Sequence, residues 1–509
     1  MTLKGSVNEP FIHSQARTVE RPPSAGVLRR VWHWHQHVWP GANLLLFAGV
    51  LVVFLLLWNV PSPSGLSTEA WHLFALFVFT IVGAIVEPLP ISAMCLIALG
   101  ICSATGVLTT SEMLSGFANE ALWLVMFAFF LSSGFVATGL GRRLCFIVLK
   151  YLGATTIGLG YGICFCELLL AIAIPSVSAR AVGVIMPILK PLMTEAFQSD
   201  PEFGTQGRIG TYIVLVEITA NAIAGACWMT GGAWNAMTVQ LMEEVAGEHL
   251  SWVGWATALL PVGLVPLALV PIVVYLVFPP EIKSTPEAAE MATTKLEEMG
   301  PMSIKEKAML STFIGVVLLW ILSSTFKTTI PLSAAGVAGM GVAVLLFLGV
   351  ISVKEHIATD KAAFNLLIWF GVLLMLSAQL KAKGFFSWVA GLWSLSSLSP
   401  LAALLLVCFI FYITQYGFAS ITAHVSALFT PLLEIAIKAN VPAGMACRAL
   451  AFCTLAGHIA PYTSSTNPGY FALGYVSLKQ WWTMGLVFFA INFVVLCTIG
   501  FGYWRIIGY

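Results

Sequence analysis

Two stretches of the sequence share one frame and decide the fold: IPSVSARAVGVIMPILKPL at 174–192 and FASITAHVSALFTPLLEIA at 418–436. The matched pairs are Ser176 with Ser420, Ser178 with Thr422, Arg180 with His424, and Pro187 with Pro431. The stretches lie in apolar segments at 157–193 and 399–437, each with polar residues and a helix-interrupting centre. We interpret both segments as re-entrant hairpins, which enter and leave a membrane on the same side.

The shared pattern extends on both sides of the hairpins. Upstream, Gly139 in ATGLGRR and Gly384 in KAKGFFSW precede the matched serines by nearly equal distances. Downstream, the segments ACWMTGGAWNAM (226–237) and APYTSSTNPGYFALG (460–474) contain Gly-Gly and Asn-Pro pairs that interrupt a helix. The chain therefore contains two halves built on one plan.

Composition predicts an all-α polytopic membrane protein. Hydrophobic residues make up 59% of the chain and charged residues only 9%, against about 25% charged in an ordinary soluble domain. Apolar runs recur that are near the length of about 18 residues needed to cross a bilayer. We predict eleven spans, at 42–60, 71–87, 91–107, 119–138, 208–240, 254–278, 309–326, 332–350, 363–380, 443–475 and 481–504.

Each half holds five spans and one hairpin, and an odd number of spans inverts the second copy. The predicted domains are an N-terminal cytoplasmic extension (1–41), a first span outside the repeats (42–66), inverted repeat 1 (67–280), a charged, solvated cytoplasmic linker (281–308) and inverted repeat 2 (309–509). A cytoplasmic N-terminus puts most of the 24 basic residues inside, as expected for membrane proteins, and leaves the C-terminus external. We predict a multi-pass protein of a bacterial inner membrane.

Several classes of protein are disfavoured by what the sequence lacks. No Lys/Arg cluster suggests a nucleic-acid partner. The ten cysteines are scattered through apolar segments without metal-ligand spacing, so we expect no metal and no cofactor. The sequence contains no H-E-x-x-H, G-x-S-x-G or P-loop pattern, and these patterns would indicate an enzyme or an ATP-driven pump. Two matched hairpins do not suggest the open pathway of a channel.

Inverted repeats with discontinuous helices are typical of secondary transporters, where freed backbone amides face an anionic substrate. The candidate substrate-binding residues lie at the hairpin tips and in the broken spans: Ser176, Val177, Ser178, Ser420, Ile421, Thr422, Thr230, Gly231, Asn235, Thr466 and Asn467. An alternative interpretation is structural: hydroxyls bond helix carbonyls, and the breaks are kinks packed by their neighbours.

Arg180 and His424 are intramembrane basic residues at the same place in each half. A buried Arg is costly in lipid and is usually kept for a partner or a substrate. One interpretation is that both attract the anion. The alternative pairs them with the intramembrane carboxylates Glu167, Glu217 or Glu434, or leaves His424 as a neutral core residue.

These motifs, in this order, resemble the divalent anion/sodium symporter (DASS) family, which includes dicarboxylate and citrate carriers, tartrate/succinate antiporters and plastid dicarboxylate translocators. The family's Ser-Asn-Thr triplets are matched by residues 176–178 and 420–422, and its Gly/Thr/Pro/Asn-rich breaks by 229–235 and 463–468. Both asparagines of the triplets and the paired prolines of the first break are absent. The resemblance implies a homodimer with a scaffold and an elevator-type transport part.

By analogy with the sodium-independent members, we predict exchange of C4 or C5 dicarboxylates, with tricarboxylates and sulfate also within the family's range. Arg180 and His424 would then supply the charge that a sodium-driven relative obtains from its ions. The alternative is a carboxylate symporter coupled to Na⁺ or H⁺, with His424 as the titrating group.

Overall fold

In the computed structural model, the described residues are 42–508, except 327–328, 330, 393–394 and 396–397. The predicted N-terminal extension, 1–41, lies outside them. The described chain is helical without strands, which confirms the predicted fold class. The helices of the first half, up to the linker, are α1 Leu44–Asn59, α2 Thr68–Val86, α3 Ile91–Thr105, α4 Thr110–Leu114, α5 Glu120–Thr138, α6 Leu140–Leu152, α7 Thr156–Leu170, α8 (Val177–Arg180, Ala181–Ile185, Met186–Pro191 and Leu192–Ala196 in succession), α9 Gly210–Cys227, α10 Ala233–Ala246 and α11 Trp252–Val277.

The linker contributes one helix, and the helices of the second half follow in the same order as those of the first half. Their helices are α12 Pro286–Met299, α13 Ile304–Thr325, α14 Ala334–Phe347, α15 Lys361–Ala382, α16 Phe385–Leu392, α17 Pro400–Thr414, α18 Ile421–Lys438, α19 Ala443–Cys453, α20 Asn467–Ala472 and α21 Leu478–Val495, which continues through Leu496–Gly500 and Phe501–Ile506. Every one of the eleven predicted spans is helical, with two of them broken in the middle. Among the described helices, ten are long and apolar enough to cross a membrane, and three of the ten are hairpin arms.

Both predicted hairpins form as two helices joined by a short tip. Hairpin 1 consists of α7, tip 1 (171–178, which includes the first two residues of α8) and α8. Hairpin 2 consists of α17, tip 2 (415–422, which includes a 3-10 turn at 415–417 and the first two residues of α18) and α18. The first arms, α7 and α17, have 15 residues each. At about 1.5 Å per residue α7 is about 22 Å long, which is shorter than the roughly 30 Å hydrocarbon core. The arm α17 continues through a 3-10 turn to Gly417 and thereby reaches 18 residues.

A glycine precedes each hairpin at the matched position that the sequence indicates. Gly139 (φ +76°) and Gly384 (φ +75°) end α5 and α15 in the left-handed conformation, which glycine adopts without steric cost. A further helix then leads to each hairpin, α6 in the first half and α16 in the second. Sequence analysis did not predict these two connecting helices, because they are too short and too polar or aromatic to resemble spans.

One face of the linker helix α12 packs against the connecting helix α6 and the other face is exposed, so the description as a solvated connector holds only in part. Ala288 and Ala292 of α12 are fully buried, and Thr285 Oγ1 donates to the Gly153 carbonyl at 2.7 Å. Nearby, Arg143 of α6 forms a buried ion pair with Glu306 at 2.6 Å. The linker therefore anchors the connecting helix α6 and the start of α7.

Candidate functional site

The two hairpin tips have the same local structure. At each tip a serine caps the following helix: Ser176 Oγ accepts from the Ala179 amide at 3.2 Å, and Ser420 Oγ accepts from the Ala423 amide at 3.4 Å. The first amides of a helix have no intrahelical partner, so those of residues 177–178 and 421–422 remain free to bind an anion. Helix N-termini also carry partial positive charge.

The hydroxyls beside these amides differ between the tips. Ser178 Oγ lies 2.8 Å from Ser465 Oγ and 3.4 Å from Thr466 Oγ1, so tip 1 reaches the broken span of the other half. Thr422 is 9% exposed, and its hydroxyl makes no hydrogen bond in the described part of the chain. The hydroxyls of Ser178 and Thr422 do not cap a helix, whereas those of Ser176 and Ser420, which are partly exposed, do.

The two broken spans are built by the same hydrogen bonds. Break 1 (228–232) joins α9 to α10, and break 2 (454–466) joins α19 to α20. Asn235 Nδ2 donates to the carbonyls ten and seven residues earlier, at 2.7 and 2.8 Å. Asn467 Nδ2 donates to the carbonyls at the same two offsets, at 2.8 and 2.7 Å. Both asparagines are buried and hold the breaks in shape.

Each break packs closely on its own hairpin. A Cβ on Gly225 would lie 3.2 Å from Val177 of tip 1, and a Cβ on Gly457 would lie 2.5 Å from Ile421 of hairpin 2. Because these glycines permit close approach, Val177 and Ile421 serve as apolar contacts at matched positions. Their candidate role in substrate binding is restricted to their backbone amides.

Side chains of break 1 also contact tip 1 directly. Thr230 Oγ1 donates to the Ile172 carbonyl at 2.7 Å, so its hydroxyl is already engaged in joining the break to the tip. A Cβ on Gly231 would lie 2.5 Å from the Gly225 carbonyl oxygen. Only glycine fits this bend without movement of the backbone.

Arg180 lies between tip 1 and break 1, fully buried. Its guanidinium donates to the carbonyls of Ile174 at 2.7 Å, Gly231 at 2.6 Å and Asn221 at 3.3 Å. Its Nε forms an ion pair with Glu167 Oε2 at 2.8 Å. Sequence analysis left open that Arg180 pairs with an intramembrane carboxylate, and in the structure this partner is Glu167. The carboxylate compensates the positive charge of Arg180 that we expected to attract the anion.

His424 occupies the matching position in hairpin 2 in a different environment. Its ring lies between the rings of Phe411 and Phe418, with centroid distances of 4.3 and 5.0 Å. Its Nε2 lies 3.0 Å from Thr414 Oγ1. Phe411 is the counterpart of Glu167 in the repeat frame, so His424 has an aromatic neighbour where Arg180 has a carboxylate. Glu434 instead lies 3.2 Å from the Ser387 hydroxyl.

Several residues of the site were not predicted from the sequence. Asn221 lies against Arg180, beside the Glu167 that the sequence named as a candidate partner. Gln415 of tip 2 donates to the Thr463 carbonyl of break 2 at 3.1 Å. Ser465, which contacts Ser178, belongs to the polar run TSSTNP, and that run was the signal that could have identified it. Asn221 and Gln415 are single polar residues among apolar neighbours, without a motif to distinguish them.

The structure brings tip 1 together with both breaks and tip 2 together with break 2. Within the described residues, no hydrogen bond joins tip 1 to tip 2. No group of three or more His, Cys, Asp or Glu side chains that can hold a metal ion occurs in the described part of the chain. What the site offers a ligand is a set of hydroxyls, backbone amides and helix N-termini, which suits a small anion. The roles of its residues in binding stay a prediction.

Sequence comparison relates nearly the whole chain to known transporters. Residues 42–509 match the model of the sodium:sulfate symporter transmembrane region. The putative malate transporter YflS of Bacillus subtilis is 39% identical over 90% of this chain and 95% of its own length. Chloroplastic dicarboxylate transporter 1 of Spinacia oleracea is 35% identical over 92% and 82%. The L-tartrate/succinate antiporter of Escherichia coli O157:H7 is 33% identical over 91% and 98%.

Among solved structures, the YdaH transporter of Alcanivorax borkumensis resembles this chain with a TM-score of 0.50 at 14% identity. The match covers 93% of this chain and 98% of the other, and at this identity it shows the fold alone. The family model and the relatives above 30% identity identify a transporter and not an enzyme. This chain belongs to the divalent anion/sodium symporter family of membrane transporters.

Proposed function

We propose that this chain exchanges dicarboxylates of four or five carbons across the membrane without sodium. The observation that carries the proposal is the contact between tip 1 and break 2, where Ser178 meets Ser465 and Thr466. Hydroxyls and free helix amides from two distant parts of the chain thus face one place. The names of the relatives, which include malate, dicarboxylate and tartrate/succinate transporters, support a substrate of this class.

The proposed binding chemistry uses the tips for the carboxylates. The free amides at 177–178 and 421–422 each offer donors to a carboxylate, beside the hydroxyls of Ser178 and Thr422. Charge-assisted hydrogen bonds of this kind are stronger than neutral ones. Thr466 adds a hydroxyl beside Ser178, while Asn235 and Asn467 shape the breaks. A larger tricarboxylate would need room beyond these two groups.

Sodium independence is supported by the place of Arg180. Its guanidinium donates hydrogen bonds to carbonyl oxygens of tip 1 and break 1, and such oxygens are also what a bound cation prefers. Because Arg180 already bonds these oxygens, they are not available to Na⁺ in the first half. Because Glu167 compensates its charge, Arg180 contributes to the shape of the site and not to its net charge. We propose that His424, at the corresponding position in the second half, takes the place of the second cation although its contacts there are the rings of Phe411 and Phe418 and the Thr414 hydroxyl.

The mechanism and assembly extend the proposal. We infer inverted repeats, with hairpins and broken spans moving as an elevator against a scaffold in a homodimer. The 15-residue first arms of the hairpins and the equal hydrogen-bond offsets at the two breaks support this arrangement. We further propose a bacterial inner membrane, a cytoplasmic N-terminus and linker, and an external C-terminus.

Flux into proteoliposomes tests the function directly. Labelled succinate or malate uptake should require an internal dicarboxylate and should be unchanged when choline replaces sodium. A panel of succinate, malate, tartrate, 2-oxoglutarate, citrate and sulfate identifies the substrate. Equal uptake into vesicles without internal substrate would contradict exchange. Strict sodium dependence would instead establish the symporter alternative.

A further inference from the structure

Two carboxylic acids lie next to each other in the first half, and both are fully buried. Glu167 is on α7 and Glu217 is on α9. Both oxygens of Glu167 are satisfied, one by Arg180 and the other by Asn221 Nδ2 at 2.9 Å. Arg180 is thereby committed to Glu167, and Glu217 has no ion-pair partner among the described residues.

The contacts of Glu217 do not suit an ionised carboxylate. Its Oε1 lies 3.2 Å from the hydroxyl of Tyr470, which also lies 3.2 Å from the Ala181 carbonyl. A tyrosine has one proton to share between these two acceptors. Oε2 of Glu217 is buried without a hydrogen-bond donor, and the nearby carboxyl of Glu167 is a second negative group beside it. A charge buried with so few donors is costly.

A bound proton resolves this arrangement. Protonated Glu217 becomes a donor, to Tyr470 Oη or to the Glu167 carboxylate, and the cluster of Arg180, Glu167 and Glu217 becomes neutral. The titratable groups that face Glu217 are Glu167, Cys164 and Cys166 from α7, Arg180 from α8 and Tyr470 from α20. Two carboxyl groups at close range commonly share one proton.

We propose that Glu217 is a proton-binding site that joins the first half of the chain to the second. The bond to Tyr470 connects α9 to α20, whose preceding residues, Ser465 and Thr466, contact Ser178. Loss of the proton would set two negative carboxylates against one arginine and draw the single hydroxyl proton of Tyr470 from the Ala181 carbonyl to Glu217, which would loosen α20 and break 2 from α8. Transport is then expected to fall as the pH rises through the titration of Glu217. This titrating group is distinct from His424.

The pH profile of exchange tests the proton's role. Glu217→Gln is a neutral analogue of the protonated acid, so we expect it to retain exchange at neutral pH and to lose the alkaline decline of the unmodified protein. Tyr470→Phe should reduce exchange several-fold at every pH. Glu434→Gln, a half-exposed carboxyl in hairpin 2, is the matched control and should keep the original profile. An unmodified protein without an alkaline decline, or an unchanged decline in Glu217→Gln, would refute the switch.

Infrared spectroscopy tests the bound proton without transport, and therefore independently of the proposed function. At neutral pH the purified protein should show the C=O stretch of a protonated carboxylic acid, and Glu217→Gln should lack it. Tyr470→Phe should shift the band, because the hydrogen bond to the hydroxyl is lost, and this variant serves if Glu217→Gln fails to fold. Absence of the band from the unmodified protein would refute the proposal.

Discussion

At the scale of single residues, matched positions in the two halves have diverged while keeping their place. Arg180 is paired with Glu167, whereas His424 lies against Phe411, and these four residues fall on the same frame. Ser176 and Ser420 have the same role in both halves, since each caps the helix after its tip. A side chain's position in the repeat therefore predicts where it lies, but its partner determines what it does.

The free hydroxyls at the tips give the first prediction. Ser178→Ala and Thr422→Ala should each raise the KM for the dicarboxylate, because a hydrogen bond to a charged group contributes about 1.5–3 kcal/mol. That corresponds to about a tenfold to a hundredfold change. The measurement is the concentration dependence of exchange. Ser133→Ala is the control, because Ser133 bonds only a carbonyl of its own helix. Equal KM values for all three variants would contradict the proposed binding site.

The buried ion pair gives the second prediction. Arg180→Met should destabilise the protein by about 3–5 kcal/mol, because Glu167 is left buried without its cation. Adding Glu167→Met should recover part of that loss. The measurement is denaturant unfolding in detergent for the single and double variants.

Lys383→Met is the control for this series. Lys383 forms an ion pair with Glu69 at 2.9 Å, and the Glu69 side chain is 71% exposed. Exposed pairs contribute only about 0–1 kcal/mol, so this variant should change stability little. If Arg180→Met lowers the free energy of unfolding no more than Lys383→Met does, Arg180 does not have the proposed structural role.

At the scale of elements, each hairpin is preceded by a glycine turn and a connecting helix. The connecting helix α6 is held from outside hairpin 1 by the ion pair of Arg143 with Glu306, and the exposed ion pair of Lys383 with Glu69 lies just before α16. Lys438 of α18 also donates to the Ser387 carbonyl of α16 at 2.6 Å. The hairpins are therefore attached to the rest of the molecule at defined points.

The glycine turn before hairpin 2 gives the third prediction. At Gly384 an added Cβ meets no atom within 4 Å, so only the positive φ opposes a side chain. Gly384→Ala should cost about 1–2 kcal/mol and lower the maximal rate of exchange with little effect on KM. Gly100→Ala, at an equally open position inside α3 with no positive φ, should not destabilise the protein, because alanine is the better helix former there. Unfolding and exchange measurements on both variants check this, and equal behaviour would contradict the role of the turn.

At the scale of the whole molecule, hydrogen bonds and packing contacts join the first half of the chain to the second. Thr211 of α9 donates to the Tyr475 carbonyl at 2.7 Å, and Tyr470 reaches Glu217. Hairpin 2 also packs against α10 through α18. The second broken span is thus supported largely by the first half, and neither half assembles the site alone.

The orientation of the chain gives the fourth prediction. The described cysteines are buried except for Cys497, so Cys497→Ser leaves a low background for labelling by an impermeant maleimide. Lys295→Cys in the linker should react only from the cytoplasmic side, and Thr329→Cys, after α13, only from outside. Sealed vesicles of both orientations provide the comparison. The reverse pattern would overturn the proposed topology.

The sequence by itself determined the helical membrane fold, the two hairpins and the positions of both breaks. These features depend on local properties: apolar runs of spanning length, glycine at positive φ, and Gly-Gly or Asn-Pro pairs that interrupt a helix. The connecting helices escaped detection because α6 has apolar residues on one face only and α16 has only eight residues. The packed linker escaped because charge in a segment does not reveal a buried alanine face.

Only the tertiary structure decided which polar groups meet. Ser178 and Ser465 are 287 residues apart, and Glu217 and Tyr470 are 253 apart. No periodicity within a segment encodes such a contact, because it depends on how separate helices pack. The same holds for Arg180, for which the sequence named three carboxylates and the structure chose Glu167. In a membrane interior, where an unpaired charge is costly, that choice of partner separates a structural cation from one that is free to bind substrate.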